Sequence, residues 1–308
     1  MAYTRRYARI ALAPFADYCG ERLHPDLQYN ISDRRVSVND GEVTVRVLTP
    51  ATGNRETFPV LVWFHGGGWN MGDLDMDDYY LRTLCIDFQL AVVNVEYRLV
   101  PEHRFPTAFN DCYAALKWVL SKVDEFNADV KKGFLVGGDS AGGSLAAAVA
   151  LQARDDPFFH GRGLTGQFLR EPATCHPDAY PERFKAELRS FAQGKEALLL
   201  NSGVMRSYYS DYLDGASPSD LRISPLAAPT HAGLPPAFIQ VQELDPLRDD
   251  GVAYEKALRE AGVKTRLFRY KGTLHGFQYF FPTLPTAVQI DRDGREGIRW
   301  LLDQTSSC

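Results

Sequence analysis

The sequence of 308 residues lacks the features that would assign it to a membrane, secreted or disulfide-rich class. Its five cysteines are an odd number and no two follow a C-x-x-C spacing, which favours free thiols in a reducing compartment. It has no run of roughly 18 or more apolar residues, so no membrane-spanning helix is predicted, and its first residues lack the apolar core of a secretion signal. We therefore expect a cytoplasmic protein with no integral membrane segment.

The chain also lacks a surplus of positive charge and the common metal and nucleotide motifs. Its 34 Lys and Arg residues against 39 Asp and Glu residues give a net charge of -5. Nucleic acid is not an expected partner, because binding to phosphates requires excess cationic side chains. The sequence contains no H-E-x-x-H motif, no Cys/His cluster, no G-x-x-x-x-G-K loop and no G-x-G-x-x-G at the first strand, so we expect no metal and no cofactor.

The pattern of apolar residues predicts an α/β fold. Apolar and polar residues alternate on both sides of Asn39-Asp40-Gly41, which predicts a hairpin. Beyond it, continuous apolar runs alternate with helical patterns, and such runs are typical of strands buried on both faces of a parallel sheet. This alternation predicts a doubly wound sheet with right-handed crossovers. The runs lie at residues 59–64, 90–95, 134–136 and 237–241, with residues 265–270 as a more polar strand candidate, and the helical patterns lie at residues 111–123, 141–154, 252–261 and 287–302.

Residues 158–234 interrupt this rhythm. They hold one weak strand candidate, at residues 167–170, followed by a long helix-prone stretch rich in aromatic residues. An insertion of this size in an α/β sheet is expected over the carboxyl ends of the strands, where such sheets bind ligands. We interpret the stretch as part of a cap over that edge.

A G-x-S-x-G motif, Gly138-Asp139-Ser140-Ala141-Gly142, lies between a predicted strand and a predicted helix. In this setting the glycines allow a strained turn that exposes the serine hydroxyl, and the helix N-terminus directs unpaired N–H groups towards negative charge beside it. Taken alone, the pattern is also compatible with a glycine-rich turn in which the serine caps the helix. Ser140 is the candidate nucleophile.

A second motif, H-G-G-G at residues 65–68, directly follows a predicted strand. Acyl-transfer enzymes need backbone N–H donors where a carbonyl oxygen becomes an oxyanion, and losing one donor costs about 2.7–4 kcal/mol of transition-state stabilisation. The N–H groups of Gly66, Gly67 and Ala141 are the candidate oxyanion hole. His65 is expected to hold the glycine loop rather than to exchange protons.

In proteins that combine these two motifs, the acid follows the nucleophile at the end of a later strand. Glu243, Asp245, Asp249 and Asp250 all follow one later predicted strand. Asp245 is favoured because Pro246 restrains it to an extended conformation. Asp249 and Asp250 precede a helical pattern and resemble N-caps, and Glu243 is the chief alternative.

The candidate base is His275. Among the histidines after Ser140, only His275 also follows the candidate acid, and it comes soon after the strand candidate at residues 265–270. The expected mechanism has His275 accept the Ser140 proton while Asp245 keeps the imidazole in the right tautomer.

These residues resemble the hormone-sensitive-lipase family of esterases, whose marks are an HGGG loop and a GDSAGG elbow. The likeness covers roughly residues 58–302. It includes Y-R-L-V-P-E-H-R-F-P at residues 97–106 and L-D-P-L-R-D-D-G at residues 244–251. The second segment resembles the family's acid loop and supports Asp245 over Glu243.

The resemblance implies an α/β-hydrolase fold, with a mostly parallel eight-stranded sheet, helices on both faces and a helical cap, in a single domain over residues 1–308. The cap would come from about residues 1–30 and 176–225. The implied activity is hydrolysis of short to medium acyl esters of small molecules without a cofactor. The oligomeric state is not specified by the sequence. Residues 171–177 depart from the family's usual sixth-strand ending and are more similar to fungal members of secondary metabolism, such as versiconal hemiacetal acetate esterase.

Two other functions are compatible with the same residues. One is acyl transfer or product release in a biosynthetic pathway, which the sequence does not separate from hydrolysis. The other is a non-catalytic ligand-binding module on the same fold. Hormone receptors that resemble this family lose the histidine, whereas His275 is present here.

Overall fold

The computed structural model describes residues 12–25, 28–51 and 56–305, which contain one eight-stranded sheet. The strands are β1 (Tyr29–Val38), β2 (Gly41–Pro50), β3 (Val60–Phe64), β4 (Ala91–Glu96), β5 (Phe134–Asp139), β6 (Gly166–Arg170), β7 (Ala237–Gln242) and β8 (Thr265–Tyr270). Their order in the sheet is β1-β2-β4-β3-β5-β6-β7-β8. β1 and β2 form the expected hairpin, β2 is also antiparallel to β4, and the remaining neighbours are parallel.

Helices cover both faces of the sheet. Side chains from the helices at Thr107–Lys122, Ala141–Asp155 and Arg248–Glu260 contribute to one apolar core. Side chains from the helices at Asp78–Asp87 and Pro285–Thr305 and from the helical residues 12–20 contribute to the other. Alternate side chains of β3 reach the two cores, since Val62 belongs to the first and Trp63 to the second. The helices are α1 (Asp78–Asp87), α2 (Thr107–Lys122), α3 (Ala141–Asp155), α4 (Glu182–Lys185), α5 (Ser190–Gln193), α6 (Ser202–Leu213), α7 (Arg248–Glu260), α8 (Phe277–Phe280) and α9 (Pro285–Thr305). The predicted fold class is confirmed.

The segment of residues 176–225 contains three short α-helices, α4, α5 and α6, rather than one long helix. Pro181 directly precedes α4 and Gly194 directly follows α5, and neither residue favours a continuous helix. Helix α6 packs on the residues that follow β3. The ring of Tyr212 stacks on Trp69 with centroids 4.6 Å apart and planes 2° apart.

The other expected part of a cap, about residues 1–30, falls partly outside the described residues. The helical residues 12–20 pack through Phe15, whose ring centroid is 4.7 Å from that of Tyr279 and 6.0 Å from that of Tyr80. Across the described ranges, no helix combines the length and the apolar character needed to cross a membrane.

Candidate active site

Ser140 occupies the turn between β5 and α3 with φ 52° and ψ -115°, a conformation that residues other than glycine rarely adopt. Its N–H donates to the carbonyl oxygen of Arg170 at the end of β6, at 2.8 Å, which ties the turn to the neighbouring strand. A Cβ atom on Gly142 would lie 1.9 Å from the carbonyl oxygen of Phe64, so only glycine lets α3 begin this close to β3. The G-x-S-x-G motif therefore forms a sharp strand-turn-helix that presents Ser140 at the sheet edge.

His275 and Asp245 lie beside Ser140, although different loops carry them. Nε2 of His275 is 3.0 Å from Oγ of Ser140, and Nδ1 of His275 is 2.8 Å from Oδ2 of Asp245. Asp245 follows β7 and His275 follows β8, and the carboxyl ends of these parallel neighbours meet at one edge. The other carboxylate oxygen of Asp245 accepts a hydrogen bond from Leu247 N–H at 2.8 Å, which fixes its orientation. The structure brings the three side chains into one hydrogen-bonded row.

The alternative acids face away from this row. Glu243 is turned towards solvent, where its carboxylate accepts a hydrogen bond from Gly272 N–H at 2.9 Å. Asp249 and Asp250 do not cap α7, which begins without a side-chain cap, so the expectation of N-caps there is wrong. Asp249 instead accepts hydrogen bonds at the start of α5, from Ser190 N–H among others, and Asp250 is buried against the loop after β6.

The glycine loop after β3 lies against the Ser140 turn. A Cβ on Gly66 would be 3.2 Å from the Asp139 carbonyl oxygen, and Gly67, at φ 110°, leaves no room for a Cβ beside the Met71 carbonyl oxygen. Neither the Gly66 nor the Gly67 N–H donates to another backbone carbonyl within the described part of the chain. Ala141 is the first residue of α3, so its N–H has no partner within the helix. These groups provide free donors next to Ser140.

His65 holds the glycine loop from beneath. Its Nδ1–H donates to the Gly66 carbonyl oxygen at 2.8 Å, and its ring stacks on Tyr97 with centroids 4.2 Å apart. The Tyr97 hydroxyl donates to the His65 carbonyl oxygen at 2.8 Å. Burial lowers the pKa of His65, so the imidazole stays neutral.

A second carboxylate, which motif reasoning missed, lies beside His275. Glu171 directly follows β6, its side chain is 0% exposed, and its Oε2 is 3.1 Å from Nδ1 of His275. Gly276 N–H donates to the same oxygen, and Gln242 Nε2 donates to Oε1 at 2.9 Å. The signal available in the sequence is its position, because an acidic residue directly after a strand beside β5 reaches the edge where ligands bind.

The groups around His275 are electrostatically linked. Burial opposes the charged imidazolium, but the carboxylates of Asp245 and Glu171, with a smaller effect of Asp139, raise the pKa of His275. Burial and the charge of Asp245 raise the pKa of Glu171. Burial and the charge of Glu171 raise the pKa of Asp139, although the Arg170 guanidinium lies 3.7 Å from its carboxylate. Protons taken up here belong to the group as a whole.

Three of these side chains have the spacing of a possible metal site. Asp139, Glu171 and His275 each present one ligand atom, and these atoms lie within 4.8 Å of one another. The two ring nitrogens of His275, however, already face Ser140 and Asp245. A metal would have to displace these hydrogen bonds, so the arrangement suits proton exchange better than metal binding.

Comparisons with known proteins identify the family to which the chain belongs. The family described as alpha/beta hydrolase fold matches residues 61–279. Carboxylesterase NlhH of Mycobacterium tuberculosis is 37% identical over 283 residues, which cover 90% of this chain and 84% of that protein. Versiconal hemiacetal acetate esterase of Dothistroma septosporum is 34% identical over 254 residues, which cover 82% of this chain and 76% of that protein. The crystal structure of vibralactone cyclase superposes with a TM-score of 0.95 at 37% identity and covers 99% of this chain and 89% of that chain.

The resemblance inferred from the HGGG and GDSAGG motifs is confirmed, because the family match covers more than half of the chain and relatives above 30% identity are named esterases. A receptor-like module is not favoured by these names. The chain belongs to the α/β hydrolase family and is a carboxylesterase-type hydrolase.

Proposed function

We propose that the chain hydrolyses small-molecule carboxylic esters with Ser140 as nucleophile, His275 as general base and Asp245 as the carboxylate that orients the base. The observation that carries this proposal is the hydrogen-bonded row, with 3.0 Å between Ser140 and His275 and 2.8 Å between His275 and Asp245. A serine hydroxyl is a weak nucleophile by itself and needs an adjacent base that is held by a third group.

The reaction proceeds in two halves. His275 takes the proton from Ser140 as Oγ attacks the ester carbonyl carbon, and then gives that proton to the departing alcohol. Water, deprotonated by His275, attacks the acyl-enzyme, and the second intermediate collapses as His275 returns the proton to Oγ of Ser140 and the acid is released. Asp245 keeps the proton on Nδ1, so that Nε2 is free to accept the one from Ser140.

The oxyanion of each tetrahedral intermediate is held by the N–H groups of Gly66, Gly67 and Ala141. Support comes from the free N–H donors of the glycine loop and from the start of α3 beside Ser140. The helix N-terminus adds a favourable partial positive charge at the same place.

We further propose one α/β-hydrolase domain over residues 1–308, with a cap from about residues 1–30 and 176–225, that accepts short to medium acyl chains. Helix α6 supports the second part of this cap, because its Tyr208 ring lies so close to Gly68 that a Cβ there would be 2.5 Å from it. An aromatic ring against Gly68 limits the space beside the glycine loop.

A cytoplasmic location is also proposed, and the free, buried thiols of Cys19, Cys85, Cys112 and Cys175 are in keeping with it.

Hydrolysis of p-nitrophenyl esters from acetate to palmitate tests the proposal, with Ser140→Ala as the variant. The expected result is a maximum at short to medium chains and a loss of kcat of roughly 10⁴ to 10⁶ in Ser140→Ala. Ser144→Ala, one turn further along α3, is the matched control, and we expect it to retain wild-type turnover. A Ser140→Ala protein with near wild-type turnover would refute the assignment.

A second candidate is acyl transfer to a nucleophile other than water. The observation that favours it is the TM-score of 0.95 with a protein named a cyclase rather than an esterase. An acyl-enzyme is open to any nucleophile that reaches it, including a hydroxyl on the acyl chain itself, which would close a lactone and free Ser140. Product analysis with hydroxyacyl esters distinguishes the two, because transfer yields lactone in excess of hydroxy acid and hydrolysis yields the acid.

A further inference from the structure

We propose that Glu171 is a second positioning carboxylate for His275, which shares with Asp245 the task of holding the Nδ1 proton. The inference rests on the proposed role of His275 as general base. Glu171 acts only through His275, since it has no contact with Ser140 among the described hydrogen bonds.

The geometry around Nδ1 of His275 is that of one donor between two acceptors. Oδ2 of Asp245 lies at 2.8 Å and Oε2 of Glu171 at 3.1 Å, and both carboxylates are 0% exposed. They come from different strands, Glu171 from the end of β6 and Asp245 from the loop after β7. Loss of one acceptor would therefore leave the other in place.

The backbone at Glu171 is arranged for this contact. Its φ of 49° lies in the left-handed region, which residues other than glycine adopt only at an energetic cost. The residue is fixed there because its N–H donates to the Gln240 carbonyl oxygen at 2.8 Å. Hydrogen bonds from Gly276 N–H and Gln242 Nε2 then hold the carboxylate itself. Such strain persists where the surrounding structure over-determines it, and it concentrates at active sites.

The charge of Glu171 also favours the protonated imidazole. The other charged groups that face this cluster are Asp245 and Asp139, with Arg170 behind Asp139. When His275 takes the Ser140 proton, the imidazolium therefore lies between two buried carboxylates. An ionised Glu171 strengthens His275 as a base and moves the acid limb of the activity profile to higher pH.

The test compares Asp245→Asn, Glu171→Gln and the double variant in the full-length enzyme. Asp245→Asn keeps an oxygen for Leu247 N–H, and a comparable change in a Ser-His-Asp triad lowers kcat about 10⁴-fold. With Glu171 still holding Nδ1–H, we expect Asp245→Asn to lose only about 10²-fold to 10³-fold and the double variant to lose about 10⁴-fold or more. Glu171→Gln alone should lose less than about 10-fold.

The pH dependence of kcat/KM separates positioning from mere packing. Glu171→Gln removes a negative charge near His275, so the pKa of His275 falls and the acid limb moves about one to three units to lower pH. Glu243→Gln is the matched control, because Glu243 bonds to Gly272 N–H and faces solvent; its profile coincides with that of the wild type.

Two results would overturn the proposal. One is a Glu171→Gln acid limb that coincides with that of the wild type. The other is a loss of kcat of about 10⁴-fold or more in Asp245→Asn alone. This second result can be obtained even if the Glu171 variants do not fold. If Ser140→Ala is inactive while either result is found, only the role of Glu171 fails; if Ser140→Ala remains active, the proposed function itself fails.

Discussion

Removal of the Asp249 carboxylate should loosen the contact between the 176–225 segment and the Asp245 loop. Oδ2 of Asp249 accepts hydrogen bonds from the backbone N–H groups of Arg189 and Ser190, at 2.8 Å and 2.7 Å. In return Asp249 N–H donates to Oγ of Ser190 at 3.0 Å, and this hydroxyl donates to the Pro246 carbonyl oxygen at 2.8 Å. One carboxylate thus joins the starts of α5 and α7 directly behind Asp245.

The expected magnitude follows from these bonds. A hydrogen bond to a charged group contributes about 1.5–3 kcal/mol. Asp249→Ala loses two such bonds from backbone N–H groups and the pair of bonds from the Arg248 guanidinium, but water and solvent screening offset part of this loss at a side chain that is 14% exposed. We therefore expect a loss of about 2–4 kcal/mol in the free energy of unfolding for Asp249→Ala and about 1 kcal/mol for Asp249→Asn, which keeps an acceptor oxygen. The melting temperature of Asp249→Ala should fall by about 4–10 °C.

The effect should depend on pH with a defined sign. Burial tends to raise the pKa of Asp249, but the hydrogen bonds from Arg248, Arg189 and Ser190 outweigh it and hold the pKa below its ordinary value. The carboxylate then stabilises the folded state above the unfolded pKa of about 3.9, and this stabilisation disappears as the pH falls through the lower, folded value. The gap in melting temperature between wild type and Asp249→Asn is full at pH 7 and closes in acid.

Thermal unfolding at pH 7 and in acid measures the change in stability. Steady-state kinetics on a p-nitrophenyl ester measures the change in KM. Asp155→Asn is the control, because its exposed pair with Arg154 contributes little, and its melting temperature stays within about 1–2 °C of the wild type. KM should rise in Asp249→Ala as the segment beside Asp245 loosens. An Asp249→Ala protein that melts with the wild type would refute the reasoning.

Two further predictions concern packing. Gly142→Ala should abolish soluble, active protein because its Cβ would lie 1.9 Å from the Phe64 carbonyl oxygen, whereas Gly163→Ala, with 3.8 Å to its nearest atom, should not; circular dichroism and ester turnover measure both. Cys85 and Cys112 should resist iodoacetamide at pH 8 in the native enzyme and react in denaturant, because burial raises the pKa of both thiols, that of Cys85 to about 12. Mass spectrometry reads the labelling, and native modification of either thiol would contradict their burial.

The strands were predictable because their apolar runs reflect burial on both faces. The runs at residues 59–64 and 237–241 agree with β3 and β7 to within one residue at each end. The more polar candidate at residues 265–270 coincides with β8, which lies at the edge of the sheet and is only partly buried. The run at residues 134–136 stops three residues early, because β5 continues through two glycines to Asp139. Those glycines carry no apolar side chain, yet their backbones still pair with β3 and β6. A hydropathy pattern cannot detect the end of a strand whose last residues are glycines, because they are selected for close backbone packing and not for an apolar side chain.

The segment between β6 and β7 was less predictable. Its composition indicated helix, but the chain forms short helices in pieces whose positions depend on contacts with the rest of the fold. Asp249 stabilises the start of α5 from about 60 residues away in sequence, and Tyr212 of α6 packs on Trp69 from the opposite end of the site. Long-range contacts of this kind override local propensity, and no local pattern records them.

Glu171 shows most clearly what a motif leaves out. The proposed triad could be assembled from the sequence because each member follows a strand in a known order, and strand ends converge at one edge. The same convergence brings Glu171 to His275, but two facts visible only in the structure direct it there: the left-handed backbone and the hydrogen bonds from Gly276 and Gln242. A carboxylate that is buried, strained and aimed at an imidazole stabilises the fold poorly unless that imidazole becomes charged. The energetic cost of burying Glu171 is therefore best explained by its attraction to the His275 imidazolium, which forms when His275 takes the Ser140 proton.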